Sequence, residues 1–418
     1  MAKKEVIKVK MRVDKLRTQL ALLQPVVPKK TALPIVKHVL LKDGNILATN
    51  LETAVSISFP EADGECLLPY HSIMELLKHV PGDDMLTIEP DGKKIKLSLR
   101  GGTATYDTGD PKDYPPVPEV VAKAEADLDG DLLVETLVSV LPYCSTETAR
   151  PVLCGIALYL GKTIEVAAAD GFRLAFQSLP LSYPVQETII IPANTVSILE
   201  HIWKKAPGTV ALGNSLVQQL TGKRQLKVTL GEGNGRIKLQ FGDITLVSTL
   251  ISGTPPRHKD LIPNFQELTK VKFFATELLN AVKRLEEIAK DGAGIVRLSW
   301  TDTVMTVFAK SEEKGDSMAE IPLQPGSSPG RIALSINNIL DYLSGKPGLI
   351  AMGVTTEQSP AVFHYGNSPV VVVMPMMVQW GDEPNKEEET TQTEEEATVE
   401  REEPPTGELA EAVSGEEE

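Results

Sequence analysis

Apolar residues recur along this chain with two different spacings. From Val13 to Leu23 they fall at intervals of three or four residues, which places them along one side of a helix. Between Ile156 and Leu160 every second residue is a branched apolar one, as on one face of a strand in a sheet. The sequence therefore predicts both amphipathic helices and half-buried strands.

The passage from Arg150 to Phe176 shows the strand pattern most clearly. Gly161-Lys162 and Asp170-Gly171 interrupt it, and both dipeptides are typical of tight turns because glycine tolerates a positive φ. The passage therefore predicts strands separated by two turns. The second turn is followed by Phe-Arg-Leu, which a plain turn does not require.

The order helix, strands, helix, strands occurs three times along the chain. The first copy opens a strand pair at Leu33–Val36, and Arg150–Leu153 repeats this pattern roughly 120 residues later, the length of one domain. The segment 216–224 has no counterpart in the first copy and is interpreted as an insertion. The period is too long for one unit of a solenoid.

We expect an α+β protein made of three tandem domains, each with two helices packed on antiparallel sheets. The predicted boundaries are 1–124, 127–256 and 257–380, followed by a tail over 381–418.

The negative charge of the chain is concentrated in that tail. Of 57 acidic and 42 basic residues, 16 and two lie within 381–418, which leaves 41 and 40 in the remainder. The tail has too few apolar residues to form a core, so we predict that it is disordered. The net charge of −15 therefore does not exclude a nucleic-acid partner for residues 1–380.

Residue types that often carry chemistry do not form a recognisable site. The three cysteines make neither a CxxC pair nor a disulfide framework, and the six histidines show no metal-ligand spacing. The stretch Gly231–Gly235 lies between two predicted strands, so it indicates a hairpin turn and not a phosphate loop. A hydrolase is disfavoured because no nucleophile and base form a motif. We expect no catalytic residue, no metal and no cofactor.

The chain carries no sign of export or membrane insertion. No apolar run approaches the length of a membrane-spanning helix, and the charged start MAKKEVIKVK lacks the apolar stretch of a signal peptide. Together with the cysteine pattern, this predicts a cytoplasmic protein.

The last predicted strand, Val370–Met374, runs into a methionine-rich end. Three methionines flank one proline in Met374-Pro375-Met376-Met377. Flexible thioether side chains suit an adaptable apolar pocket for partner peptides.

Several motifs together resemble those of the bacterial sliding clamps, the beta subunits of DNA polymerase III. They are Leu33-Pro34-Ile35, Arg150-Pro151-Val152-Leu153, Asp170-Gly171-Phe172-Arg173-Leu174-Ala175 and Val372-Val373-Met374-Pro375-Met376. The resemblance covers residues 1–380. It implies three clamp (processivity-fold) domains and a head-to-tail homodimer that closes a ring around duplex DNA. Such a protein catalyses no reaction; it tethers the replicative polymerase to DNA and so confers processivity.

The resemblance implies few contacts with DNA, which should be basic, independent of sequence and sensitive to salt. We expect Lys29, Lys30 and Arg150 to face the phosphates. Lys204 and Lys205, at the end of a predicted pore helix, are the next candidates.

The resemblance also implies a pocket shared between the second and third copies. There the polymerase, the clamp loader and repair or translesion polymerases would insert a short peptide containing Gln, Leu and Phe. The implied pocket residues are Leu153, Gly171, Phe172, Arg173, Leu174, Pro256, Leu261, Pro360, Val372, Val373, Met374, Pro375, Met376, Met377 and Val378. Phe172 stands where the family often has histidine, and Met377 and Asp260 stand where it can have a base. The pocket should therefore be more apolar.

The ring joint is expected to pair an edge strand near Tyr106 with the third copy of another protomer, near Ile288 and Ala289. The alternative function is a scaffold of the same fold that binds replication and repair peptides without encircling DNA.

Overall fold

The computed structural model of the chain describes residues 8–206, 224–233 and 235–381. The predicted strand at 210–212, the insertion 216–224 except for Arg224, and the tail beyond Gly381 lie outside the described residues. The chain divides after Met376. The described residues before that point form one compact unit, and 377–381 belong to a second, which is described by itself.

Two helices and eight strands follow one another between residues 8 and 107, and we call them repeat 1. The helices are α1 (Val13–Leu22) and α2 (Tyr70–Lys78). The strands are β1 (Val9–Arg12), β2 (His38–Lys42), β3 (Asn45–Thr49), β4 (Thr53–Ser58), β5 (Cys66–Pro69), β6 (Met85–Asp91), β7 (Lys94–Leu99) and β8 (Gly102–Asp107).

Repeat 2 has the same order of elements in the described residues. Its helices are α3 (Gly130–Val140) and α4 (Ala193–Lys205). Its strands are β9 (Ala122–Asp129), β10 (Gly155–Leu160), β11 (Ile164–Ala169), β12 (Arg173–Leu179), β13 (Glu187–Pro192), β14 (Gln225–Gly231), β15 (Arg236–Phe241) and β16 (Ile244–Thr249).

Repeat 3 follows the same order once more. Its helices are α5 (Ala275–Asp291) and α6 (Ile336–Leu343). Its strands are β17 (Thr269–Phe274), β18 (Ile295–Trp300), β19 (Val304–Ser311), β20 (Gly315–Pro322), β21 (Gly330–Ser335), β22 (Leu349–Val354), β23 (Ala361–His364) and β24 (Val370–Val373). The predicted α+β class with antiparallel sheets is confirmed, whereas the division into three domains stays a prediction.

The strand predicted at Leu33–Val36 is wrong. Pro34–Lys37 form a 3-10 turn, and the strand begins only at His38. Proline at the first position lacks an N–H and holds φ near the helical value, which favours a turn over a paired strand. Repeat 2 has the same 3-10 turn, at Pro151–Leu153.

The strands form four antiparallel sheets in the described part of the chain. Two sheets have eight strands, ordered β5-β2-β3-β4-β16-β15-β14-β9 and β13-β10-β11-β12-β24-β23-β22-β17. Two have four strands, ordered β1-β6-β7-β8 and β20-β19-β18-β21. Each eight-stranded sheet is therefore shared between two repeats.

Two strand pairs join the repeats, and we call them seams. Seam 1/2 pairs β4 with β16, with Val55 opposite Leu246. Seam 2/3 pairs β12 with β24, with Leu174 opposite Val372. In both, the fourth strand of one repeat pairs with the last strand of the next.

The helices pack their apolar sides against the sheets and form the core. Along α1 the side chains of Val13, Leu16 and Leu20 are fully buried, as their spacing predicts. Burial of one such side chain contributes about 1.5–3 kcal/mol. Truncation of Leu16 to alanine should therefore cost about 2–5 kcal/mol of stability.

Candidate functional site

The corner between β11 and β12 is built by one aspartate. Asp170 Oδ1 accepts hydrogen bonds from the backbone N–H groups of Phe172 and Arg173, both at 2.9 Å. Gly171 has a φ of +99°, a conformation that favours glycine. The Phe172 ring stands at the corner and is 61% exposed. A large exposed aromatic ring at a rigid corner is typical of a contact surface.

Arg173 is a brace between two repeats. Its Nε donates to Asp170 Oδ2 at 3.0 Å and its Nη1 to Asp341 Oδ2, on α6, at 2.9 Å. Its Nη2 donates to the carbonyl of Pro142 at 3.0 Å, and the guanidinium lies over the Tyr143 ring. Burial would lower the Arg173 pKa, but the two carboxylates outweigh it and raise the pKa. The side chain is therefore occupied by internal contacts.

Arg150 lies against the same corner. Its Nη2 is 3.0 Å from Glu147 Oε2 and 3.5 Å from the Asp170 carbonyl oxygen. A Cβ added at Gly171 would lie 2.8 Å from Arg150 Nη1. Arg150 therefore contacts the pocket corner, and its orientation toward DNA stays a prediction. Spacing along a sequence does not report the direction of a long side chain.

Seam 2/3 continues beyond the paired strands into the methionine-rich end. The Met374 N–H donates to the Phe172 carbonyl at 2.8 Å, and the Met376 N–H donates to the Ala333 carbonyl at 2.8 Å. These bonds anchor the backbone, and the Met374 side chain stays exposed. Pro375 lies between the two anchored residues and is half-buried.

Beneath the corner lies a small apolar cluster that spans the seam. It contains Leu174 and Val372, which face one another, and Tyr159 and Ile262 pack against it. Val373 lies in the main core instead, because neighbouring residues of a strand point to opposite faces. Pro360 immediately precedes Ala361, the partner of Val373. The pocket residues before 377 therefore divide into a buried floor and an exposed rim.

Three further residues of the predicted pocket occupy different positions. Leu153 is buried at the end of the 3-10 turn that begins next to Arg150. Pro256 and Leu261 lie in the linker 250–268 between β16 and β17, and Leu261 is 57% exposed. Met377 is exposed and Val378 half-buried, and both belong to the second unit.

The predicted DNA-facing lysines lie at the ends of two helices. Lys29 and Lys30 are exposed in the loop after α1, and Lys205 is exposed at the end of α4. Lys204 is exposed too and pairs with Glu200 at 2.5 Å. The imidazole of His201, on α4, is hydrogen-bonded to the Ala21 carbonyl of α1 at 2.9 Å, so the two helices meet near these lysines.

The predicted ring joint combines an edge strand of one four-stranded sheet with a helix that packs on the other. Tyr106 is half-buried on β8, one edge of its sheet. On the other four-stranded sheet β20 is an edge, and α5 packs against it. Ile288 is partly exposed on α5, whereas Ala289 is buried in the core of its own chain, which leaves little of its side chain for a partner.

Comparison with known proteins finds similarity to the family that the sequence motifs resemble. Residues 127–257 match the family model of the DNA polymerase III beta subunit, central domain. The beta sliding clamp of Synechococcus elongatus is 23% identical over 377 residues, 86% of this chain and 94% of that protein. The beta sliding clamp of Pseudomonas putida is 22% identical over 379 residues, with 85% and 96% covered.

Solved structures resemble the fold equally well. A DnaN sliding clamp from Pseudomonas aeruginosa, bound to griselimycin, has a TM-score of 0.78 at 21% identity and covers 89% of this chain and all of that chain. The DNA polymerase III beta subunit of Thermotoga maritima has a TM-score of 0.77 at 22% identity, with the same coverage. In sequence and in fold, the chain is similar to bacterial beta sliding clamps.

This similarity confirms the resemblance seen in the sequence and the clamp fold.

In the described part of the chain no group of three or more His, Cys, Asp or Glu side chains could hold a metal ion. Burial raises the pKa of the Cys144 thiol to about 12, which keeps it protonated. Among the helices of the described residues, none is both long and apolar enough to cross a membrane.

Sequence reasoning missed the residues that hold the site in place. Asp341 joins α6 to Arg173, and Tyr143 lies under the same guanidinium. Tyr159 reaches the linker that carries Pro256. Their partners are 168, 30 and 97 residues away in the sequence, so no local pattern signals these contacts.

Proposed function

We propose that this protein is a DNA sliding clamp, a non-catalytic ring that encircles duplex DNA and tethers DNA polymerase III for processive replication. We also propose that the site at seam 2/3 receives short peptides of the polymerase, the clamp loader and repair polymerases. The ring would act in the cytoplasm.

The observation that carries this proposal is the repetition of the seams. The fourth strand of repeat 1 pairs with the last of repeat 2, and the fourth of repeat 2 with the last of repeat 3. The two strands left over in this series are β20, the fourth of repeat 3, and β8, the last of repeat 1. Pairing β20 of one protomer with β8 of the next repeats the same joint, and two such joints close a ring.

The first experiment tests closure through that joint. Neighbouring residues of a strand direct their N–H groups to opposite sides, so proline at Thr105 and proline at Tyr106 affect different neighbours of β8. The variant whose proline removes a hydrogen bond to β7 should have a lower melting temperature. The other should keep its melting temperature and become a monomer of 45.3 kDa. Wild-type protein that is monomeric at micromolar concentration would contradict the joint.

The second experiment tests the peptide site. Met374→Ala with Met376→Ala removes the exposed thioether of Met374, which lies beside Phe172, and the thioether of Met376. We expect at least tenfold weaker binding of a labelled polymerase peptide that contains Gln, Leu and Phe. Met85→Ala, at an exposed methionine of repeat 1, is the matched control. Unchanged peptide binding would exclude seam 2/3 as the docking site and leave the ring proposal intact.

The third experiment tests the DNA-facing surface. Lys29→Ala with Lys30→Ala should weaken binding to DNA of any sequence and make it less dependent on salt, by about one in the logarithmic slope for each phosphate interaction that is removed. Lys162→Ala, in the exposed turn between β10 and β11, is the control. An equal effect of both substitutions would show that overall charge, and not this surface, determines binding.

A non-encircling scaffold is the second candidate function. The exposed corner at Phe172 and Met374 favours peptide binding whether or not a ring forms. Peptide binding by a protein that is always monomeric would support the scaffold.

A further inference from the structure

The linker between repeats 2 and 3 is tied to the sheet by one tyrosine. Tyr159, on β10, donates its hydroxyl hydrogen to the Pro256 carbonyl oxygen at 2.8 Å. The same carbonyl accepts, at 2.8 Å, the backbone N–H of His258, the first residue of a 3-10 turn over His258–Leu261. The tyrosine therefore binds the linker where it begins to turn.

His258 completes this connection from inside the linker. Its side chain is 2% exposed, and its Nδ1 is 2.7 Å from the Tyr159 hydroxyl oxygen. A hydroxyl has one hydrogen, so while it donates to Pro256 it accepts from a protonated Nδ1. This arrangement gives each of the three polar groups a hydrogen-bond partner. The two rings also meet edge to face, with centroids 6.1 Å apart.

A second side-chain contact of the turn is weak by comparison. Lys259 Nζ is 2.8 Å from Glu165 Oε1, but the lysine is largely exposed. Exposed ion pairs contribute at most about 1 kcal/mol. The buried tyrosine–histidine bond is thus the main polar anchor of the turn.

The anchor lies between the floor of the pocket and its outer wall. On one side the Tyr159 ring packs on the cluster of Leu174 and Val372. On the other side the turn ends at Leu261, a leucine that is mostly in solvent. A leucine that is mostly exposed has few apolar contacts to fix it, so its position depends largely on the backbone that carries it.

We propose that Tyr159 and His258 are positioning residues for the peptide site: their shared hydrogen bond holds the linker so that Pro256 and Leu261 form a fixed wall beside Phe172. This inference rests on the proposed docking function. It adds two residues that contact no peptide and act by keeping the wall in place before a peptide arrives, which lowers the entropy lost on binding.

Tyr159→Phe removes only the hydroxyl and is the direct test. The expected result is a fall of about five- to tenfold in affinity for the labelled polymerase peptide, mainly through faster dissociation, because one hydrogen bond contributes about 1 kcal/mol. Retention on DNA should not change. Binding as tight as that of the wild-type protein would overturn the proposal.

Tyr183→Phe is a matched control in the same repeat. Tyr183 is buried, and its hydroxyl donates to the Ala124 carbonyl at 2.8 Å and accepts from the Leu230 N–H at 3.1 Å. It joins β9 and β14, away from seam 2/3. We expect Tyr183→Phe to lower the melting temperature at least as much as Tyr159→Phe does, without lowering the affinity for the peptide. Equal weakening by both variants would mean a general loss of stability, and the proposal would fail.

Substitution of His258 provides a rescue experiment. His258→Ala should lower the affinity for the peptide as Tyr159→Phe does. His258→Asn, whose amide can occupy the place of Nδ1, should restore most of that affinity. The double variant Tyr159→Phe with His258→Ala should be no worse than either alone, because the same bond is absent in all three. Additive losses would contradict a shared bond. Wild-type protein that fails to bind the peptide would instead overturn the docking function itself.

Discussion

The two seams share one backbone arrangement. At seam 1/2 the side-chain oxygen of Asn50 accepts the N–H groups two and three residues ahead, at 3.0 and 2.7 Å. At seam 2/3 Asp170 does the same at 2.9 Å for both. The corner carbonyls then accept an N–H from the next repeat: Glu52 from Thr249 at 3.0 Å, and Phe172 from Met374 at 2.8 Å.

The linkers beside the two seams differ in which side chain is buried. In the first, residues 108–121, Tyr114 follows a 3-10 turn and is 6% exposed, with its hydroxyl donating to the His38 carbonyl at 3.1 Å. In the second, the tyrosine belongs to the sheet and Leu261 is left outside. The comparison indicates that the backbone arrangement is the same at both seams, and that the linkers differ in burying Tyr114 and exposing Leu261.

The polar groups that hold the seams differ as well. Seam 1/2 contains a buried chain of hydroxyls, with Thr53 2.8 Å from Thr195 and Thr195 2.7 Å from Ser248. At the place of Thr53, the first residue of its strand, seam 2/3 has Arg173 and its carboxylate partners. A charged, forked brace resists displacement more strongly than neutral hydroxyls, which suits the seam at which we propose the docking site.

The largest expected effect comes from removing that brace. Arg173→Ala leaves the Asp170 carboxylate half-buried without its partner and should cost about 2–3 kcal/mol, less than a fully buried pair because Asp341 is exposed. Thr53→Ala should cost about 1–2 kcal/mol. Urea-induced unfolding of both variants measures the difference, with Arg173→Lys as the control that keeps charge but not the fork. Equal losses at Arg173 and Thr53 would contradict the distinction between the seams.

A smaller effect, of opposite sign at the two corners, should follow from the backbone. Leu51 has a φ of +77° and is 57% exposed, so glycine there relieves strain and should be neutral or stabilising by up to about 1 kcal/mol. Gly171→Ala introduces the same strain and a contact with Arg150, and should cost about 1–2 kcal/mol. Thermal melting tests both, and a stabilising Gly171→Ala would be inconsistent with this account.

The smallest effect is a change in stability between pH 7 and 5.5, and it concerns only the second linker. Burial lowers the pKa of His258 to about 4 from its ordinary 6.5, so the unfolded chain binds this proton first as pH falls. The stability from neutral His258 is thus complete above pH 6.5 and is lost between pH 6.5 and 4, by up to about 1.4 kcal/mol per pH unit. The free energy of unfolding should differ less between pH 7 and pH 5.5 in His258→Asn than in the wild-type protein. Equal slopes would indicate an ordinary histidine.

Periodic patterns predicted the parts of the fold that have one buried side. The apolar residues of α1 and of β10 fall at helical and strand spacing, and both elements are present. The edge strands β9 and β20 were not predicted, because most of their residues are exposed and the alternating apolar positions of β9 are mainly alanines. Edge strands bury fewer side chains, so their sequences carry less of the alternation.

The candidate site was predicted in its exposed parts and missed in its supports. Phe172 and Met374 are conspicuous in the sequence because a turn or a strand end does not require them. The contact of Tyr159 with His258 joins residues 99 positions apart, and the contact of Arg173 with Asp341 spans 168. Such pairs arise from the way the repeats pack, which local spacing does not encode.

Retention on circular DNA is the most direct test of the central claim, that the repeated seams close into a ring. The protein is loaded onto nicked circular DNA by the clamp loader of the same cell and washed with salt that releases ordinary phosphate contacts. The account predicts that it stays bound to the circle and leaves as soon as the circle is linearised. Release from the intact circle in the same wash, or unchanged binding after linearisation, would contradict it.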